Sequence, residues 1–206
     1  MPKITDMQIQ KNNKTRANVY IDGEFAFALE MLTVMKLGLK IGADVSTEKL
    51  TEAVFDSEKS VCFDKALNYL SRGMKTCKQM REYLTGKGYA AEIVTYVIDK
   101  LVDYKYVNDD YYAQMYVEQN LASKGERRLR QELQQKGIPQ CIIEKHCVVE
   151  RDTALSNAER LAAKYMRSKP HDLKTLQKLQ RYLLSRGYDY DTVNTVTRNY
   201  DIDTTD

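Results

Sequence analysis

YLTGKGY (Tyr83–Tyr89), ELQQKGI (Glu132–Ile138) and YLLSRGY (Tyr182–Tyr188) share one layout: a leucine, then a basic residue, a glycine and an apolar residue. Their glycines, Gly88, Gly137 and Gly187, stand 49 and 50 residues apart. A fixed period of this size is the signature of stacked repeat units. One match could arise by chance. Two in succession, with matching flanks, predict three copies of a helical unit of about fifty residues.

Outward from these strings, each copy resolves into three helices. In the first, Phe63, Ala66, Leu67 and Leu70 follow the i, i+3, i+4, i+7 spacing of a buried helix face. Thr76 followed by Gln79 reads as a capping box, opening a second helix with Met80 and Leu84 inward. Gly88 suits the left-handed position that ends it, and Ile93, Val94, Val97, Ile98 and Leu101 line a third helix. The second copy places Ala113, Met115, Tyr116 and Val117 on its first helix. Ser123 with Glu126 is expected to cap the next, which buries Leu129 and Leu133. Pro139 stands where a new helix can start, with Ile142, Ile143 and Cys147 inward. The third copy has Leu161, Ala162 and Tyr165, then Asp172 as cap before Leu176, Leu179 and Leu183, and closes with Val193, Val196 and Tyr200. So small a unit buries little alone, and neighbouring copies are expected to share apolar surface.

Upstream, the pattern changes. Arg16–Ile21 and Glu24–Leu29 are rich in Val, Tyr, Ile and Phe, and Asp22-Gly23 between them is a two-residue hairpin signal. Ile4–Gln10 supplies a candidate third strand. From Glu30 the pattern turns helical, broken at Gly38 and Gly42, and Ser46 opens a further short helix expected to end near Phe55. The expected architecture is mainly α: an N-terminal β-hairpin and short helices over 1–60, then three-helix repeats over 61–109, 110–155 and 156–206 in an elongated stack of either hand.

Composition agrees with a helical chain. Three prolines and nine glycines interrupt 206 residues, and fifteen tyrosines stand against no tryptophan. Most tyrosines sit at helical spacing among Leu and Val, which assigns them to core packing. No apolar run approaches the roughly 18–20 residues that span a membrane, and Met1–Gln10 lacks the layout of a signal peptide. Cys62, Cys77, Cys141 and Cys147 are then expected as free thiols in a reducing cytoplasm.

Catalytic constellations do not emerge. The chain has no glycine-rich phosphate loop, no GxSxG and no HExxH, and its only histidines are His146 and His171. The spacing of Cys141, His146 and Cys147 matches no common zinc pattern, and core packing accounts for them. Asp109 and Asp110 fit the positive end of a helix dipole. The reading is a protein that works by binding, with no metal or cofactor.

Charge placement says more than net charge. Residues 72–87 carry net +4, residues 124–136 net +3 and residues 160–187 net +7. Together these windows hold +14 of a chain whose total is +3, leaving −11 for everything else. They centre on the second helix of each copy, so equivalent helices on one side of a stack would line up a positive stripe suited to phosphates or an acidic protein surface. Solvation alone is the ordinary role of any one such residue; the recurrence in all three copies is what points to contact. Two readings of the stripe are a direct single-stranded nucleic-acid-binding repeat protein and a structural adaptor for another protein.

A third reading comes from resemblance. Ala66-Leu67, Leu70, Arg72, Met80, Leu84 and Lys87-Gly88-Tyr89 resemble the first repeat of the RecX regulatory proteins. Val107-Asn108-Asp109-Asp110 with Tyr112-Ala113 resembles that family's acidic junction into the second repeat. Lys124-Gly125, Leu129, Glu132-Leu133 and Lys136-Gly137-Ile138 resemble its most characteristic stretch, so that residues 60–155 carry most of the likeness. Gln79-Met80 departs from the family's more frequent Glu-Leu, which changes the capping partner and not the helix. The resemblance implies a monomeric, cytoplasmic, non-enzymatic protein of DNA repair, recombination and the SOS response. Such a protein would bind the RecA–DNA filament in its groove and dampen ATP hydrolysis, strand exchange and coprotease activity. Contact candidates by position are Lys75, Lys78 and Arg81 in the first copy, Lys124, Arg127, Arg128 and Arg130 in the second, and Lys174, Lys178 and Arg181 in the third.

Overall fold

A computed structural model describes residues 2–200, with the backbone alone at Thr47. The chain divides into two compact units after Asn108. Among the described residues, no helix is long and apolar enough to cross a membrane.

The first unit opens with three antiparallel strands in the order β1 (Ile4–Ile9), β2 (Arg16–Ile21) and β3 (Glu24–Glu30). Asp22 and Gly23 both take positive φ, 50° and 86°, the geometry that lets two residues turn a twisted hairpin. Ile4, Val19 and Leu29 form the buried face, completed by Val34 of α1 (Met31–Lys36) and by Leu50 and Val54 of α2 (Thr47–Leu70). The short helix expected to end near Phe55 does not end there. It continues without a break as the first helix of the first repeat, because neither Gly nor Pro stands between Ser46 and Leu70 to stop it. α3 (Cys77–Gly86) and α4 (Ala91–Asp103) complete that repeat. Cys62, Ala66, Met80, Leu84, Val97 and Leu101 are fully or almost fully buried between its three helices. The Thr76 capping box forms as expected, the hydroxyl accepting from the Gln79 N–H at 3.2 Å and the Gln79 side-chain Oε1 accepting from the Thr76 N–H at 3.1 Å.

A buried charge network fastens the sheet to α2. Arg16 is only 2% exposed, so its charge needs partners inside the protein. One terminal nitrogen lies 3.3 Å from the Glu58 carboxylate and 3.5 Å from Glu30, and the other donates to the Ala28 carbonyl. The second Glu58 oxygen accepts the Glu30 N–H at 2.8 Å and the Thr33 hydroxyl at 2.7 Å. Lys65 reaches Glu30 at 2.8 Å, so two carboxylates meet two cations. The same arginine meets the first repeat's glycine turn. Its guanidinium carbon lies 4.9 Å from the centre of the Tyr89 ring, and the Asn13 amide donates to the Lys87 carbonyl at 3.4 Å.

The second unit holds the remaining two repeats: α5 (Asp109–Asn120), α6 (Glu126–Gln135) and α7 (Gln140–His146), then α8 (Arg151–Met166), α9 (Leu173–Ser185) and α10 (Tyr190–Arg198). Ala113, Leu129, Leu133, Ile143 and Cys147 fill the first core, and Ala158, Ala162, Leu179, Leu183, Val193 and Val196 the second. Asp172 caps α9 through the Thr175 N–H at 2.6 Å. The cap expected from Ser123 does not form. Gly125 is the N-cap of α6 and offers no side chain. Its N–H instead donates to the Arg186 carbonyl at 2.9 Å, at the end of α9. A Cβ on Gly125 would overlap the Gly187 backbone, and one on Gly187 would overlap Arg128. The start of one repeat's second helix thus rests directly on the glycine turn of the next repeat, and only glycine allows that approach.

Candidate interaction surfaces on the second helices

The second helices α3, α6 and α9 turn Met80 and Leu84, Leu129 and Leu133, and Leu179 and Leu183 inward. Helical spacing then sends the intervening Lys and Arg outward. The ten candidate cations nevertheless differ in what they can still touch. Lys78, Arg81, Lys174, Lys178 and Arg181 are exposed. Lys78 lies 3.8 Å from Glu82, and Arg81 donates to the Thr95 hydroxyl at 3.3 Å. Arg127 is exposed and makes no hydrogen bond or ion pair within the described residues. Lys75 donates to the loop carbonyls of Gly73 and Met74.

Lys124, Arg128 and Arg130 are held internally. Arg130 donates to Glu126 at 2.7 Å and to the Cys147 carbonyl at 3.0 Å. Lys124 lies 2.6 Å and Arg128 2.8 Å from Glu132, whose carboxylate also accepts the Tyr116 hydroxyl. Burial would raise the Glu132 carboxyl, but the hydrogen bonds from Lys124, Tyr116 and Arg128 outweigh it and hold the group at about 2. This cluster braces the second repeat.

Within the second unit a groove of about 750 Å³ runs between α6, the start of α8 and the α9–α10 turn. Arg127, Arg130, Gln131, Arg151 and Tyr190 line it. Tyr188 lines it too, 3% exposed and with its hydroxyl unpartnered.

The tyrosines assigned to core packing do something more organised. In the first repeat the Tyr69 and Tyr83 rings stack at 3.9 Å, with Lys75 over the first at 5.0 Å and Lys87 over the second at 5.4 Å. In the third repeat Tyr165 and Tyr182 stack at 4.9 Å, with Lys169 over the first at 3.0 Å and Arg186 over the second at 5.1 Å. The second repeat keeps the cations, with Lys124 and Lys136 each over Tyr116. Glu132 stands there in place of the second tyrosine. Half of each stack was visible in the repeat strings, since Tyr83 precedes Lys87 and Tyr182 precedes Arg186 by one helical turn.

The candidate metal residues do not assemble: Cys141 is exposed, Cys147 is buried, and His146 lies 3.0 Å from Asp110, which also meets Lys145 at 2.8 Å. Among the described residues, no group of three or more His, Cys, Asp or Glu is placed to hold a metal ion.

A small antiparallel sheet followed by three tandem three-helix repeats defines a class of modular helical proteins. Four family models match in order: the regulatory protein RecX N-terminal domain over residues 2–46, and the first, second and third three-helix domains of RecX over 62–101, 108–146 and 152–197. The chain belongs to the RecX family of regulatory proteins. It is 34% identical to the regulatory protein RecX of Clostridium botulinum (strain Alaska E43 / Type E3), with 96% of each chain covered. Identity to the RecX of Clostridium perfringens (strain 13 / Type A) is also 34% over 96% of each chain. A crystal structure of regulatory protein RecX, 25% identical, superposes with a TM-score of 0.65 over 96% of this chain and 100% of its own. RecX from Lactobacillus salivarius, 28% identical, gives 0.62 over 69% of this chain and 96% of its own. The likeness reaches both ends of the repeat array and the N-terminal sheet, well beyond residues 60–155.

Proposed function

We propose that this chain is a cytoplasmic, non-enzymatic regulator of RecA, which binds the RecA–DNA filament and lowers its ATP hydrolysis, strand exchange and coprotease activity. Membership of a regulatory family supports a protein partner. The observation that supports the reading of a polyanionic filament is the recurrence of exposed cations on each second helix, Arg127 above all, which is exposed and makes no hydrogen bond or ion pair among the described residues. Binding through such residues needs no reactive group, cofactor or metal.

The test is a titration of this protein against RecA's DNA-dependent ATP hydrolysis. Substoichiometric protein lowers the rate, and Arg127→Glu with Lys178→Glu weakens that effect at least about tenfold in the concentration required, since a charge reversal adds repulsion to lost attraction. Preformed filaments that hydrolyse ATP normally under saturating protein would sink the proposal.

A further inference from the structure

Two of the three repeats hold the same four-layer stack of cation, tyrosine, tyrosine and cation, and no acid neutralises it. Lys75, Lys87, Lys169 and Arg186 form no ion pair with a carboxylate among the described residues. In the second repeat, by contrast, Lys124 is bound to Glu132 at 2.6 Å. Tyr69, Tyr83, Tyr165 and Tyr182 are all half-buried. Their inner faces are committed to each other, and each ring also has a cationic side chain over it.

We propose that the stacks of the first and third repeats are sites for single-stranded nucleic acid. A base takes the outer face of a tyrosine, and the displaced lysine or arginine moves to the adjoining phosphate. The exchange is favourable in both halves. A cation over a partly exposed ring gains little, whereas a base stacked on that ring gains more, and the freed cation acquires a full negative charge in place of a ring quadrupole. Stacking asks only for a π-face, so the sites tolerate any sequence. In the second repeat Glu132 replaces the ring of the second helix and neutralises Lys124, and Tyr116 pairs only loosely with Tyr112 of its own helix, 6.2 Å between ring centres, so the four-layer stack is not formed there.

This proposal does not depend on the filament reading, and its assay contains no RecA. Fluorescein-labelled oligothymidylate is titrated by anisotropy over a range of salt. The variant Lys75→Gln/Lys87→Gln/Lys169→Gln/Arg186→Gln reduces the slope of log affinity against log salt by about 3, at roughly 0.7 for each cation removed. A variant of equal net charge, Lys11→Gln/Lys14→Gln/Lys36→Gln/Lys40→Gln, keeps the original slope. The wild type also binds oligothymidylate at least about tenfold more tightly than an abasic oligomer of the same length, and Tyr69→Leu/Tyr165→Leu removes that preference. Should the tyrosine variant fail to fold, the cation variants and the abasic comparison on the wild type still decide. Equal slopes for the two quadruple variants, or equal affinity of the wild type for the abasic oligomer, would overturn the proposal.

Discussion

Glu132 marks the point where the second repeat departs from its neighbours. At the equivalent position the first and third repeats place Tyr83 and Tyr182, each stacked on a ring of the preceding helix. Glu132 instead collects Lys124, Arg128 and the Tyr116 hydroxyl. Its carboxyl is depressed from an ordinary 4.5 to about 2 in the folded chain. A depressed carboxyl contributes stability that is complete above the unfolded value and is lost as pH falls through the folded one. The cluster should therefore weaken between about pH 5 and 2. Glu132→Gln should cost about 1–3 kcal/mol in urea unfolding at pH 7 and flatten the acid dependence across that window. An unchanged acid profile would show that the cluster contributes no net energy. The letter change at this position is plain in ELQQKGI, but its meaning is not. Lys124 arrives from the loop before α6, eight residues away, and no periodicity brings it there.

The glycine turn is the element that organises the fold, and it was only half legible. Gly88, Gly137 and Gly187 adopt φ of 86°, 81° and 92°, as a helix C-terminus followed by an apolar residue leads one to expect. What the Gly88 and Gly187 turns rest on lies far away in sequence. At Gly88 an added Cβ would meet only the Arg16 side chain at 3.5 Å, an ordinary contact. At Gly187 it would meet the backbone of α6. Gly88→Ala should accordingly cost about 1–2 kcal/mol, the left-handed strain alone. Gly187→Ala should cost distinctly more, because backbone must also move, and thermal unfolding of the two variants side by side measures the difference. The same contact explains the failed cap. Ser123 and Glu126 satisfy the local rule for a capping box, but Ser123 gives its N–H and hydroxyl to the Asn120 carbonyl at the end of α5, and Gly125, held by the Arg186 carbonyl, becomes the N-cap instead. A local signal lost to a tertiary one. α2 failed for the opposite reason: no stop signal was present, and the helix ran on.

Over the whole chain, the order of modules and their helical content could be read from period, hairpin and caps, because those signals are local. The charge windows could be read as well, but not their division into free and committed cations. That division depends on the carboxylates of α6 itself, since Glu126 takes Arg130, and Glu132 takes Arg128 together with Lys124 from the preceding loop. Least legible was the network around Arg16, Glu30, Glu58 and Lys65, whose members come from two strands and one helix and follow no motif. It predicts that Arg16→Met leaves two buried carboxylates with one cation and destabilises the first unit by about 3–5 kcal/mol. Hydrogen exchange should report this as lost protection across β1–β3 and α2, and protection equal to the wild type would refute it. Adding Glu58→Gln should restore part of the loss, since it removes the stranded charge.

The two glycine joints also differ in stiffness. Where Gly88 meets the N-terminal sheet, the cushion is an arginine side chain with several rotatable bonds; where Gly187 meets Gly125, main chain bears on main chain. A long side chain gives under load by changing rotamer, whereas a backbone contact yields only by breaking. Pulled through its ends, the first joint should creep and the second should hold until it ruptures. The last two repeats would then act as one stiff body of six helices, and the N-terminal sheet as a compliant mount for the first repeat alone.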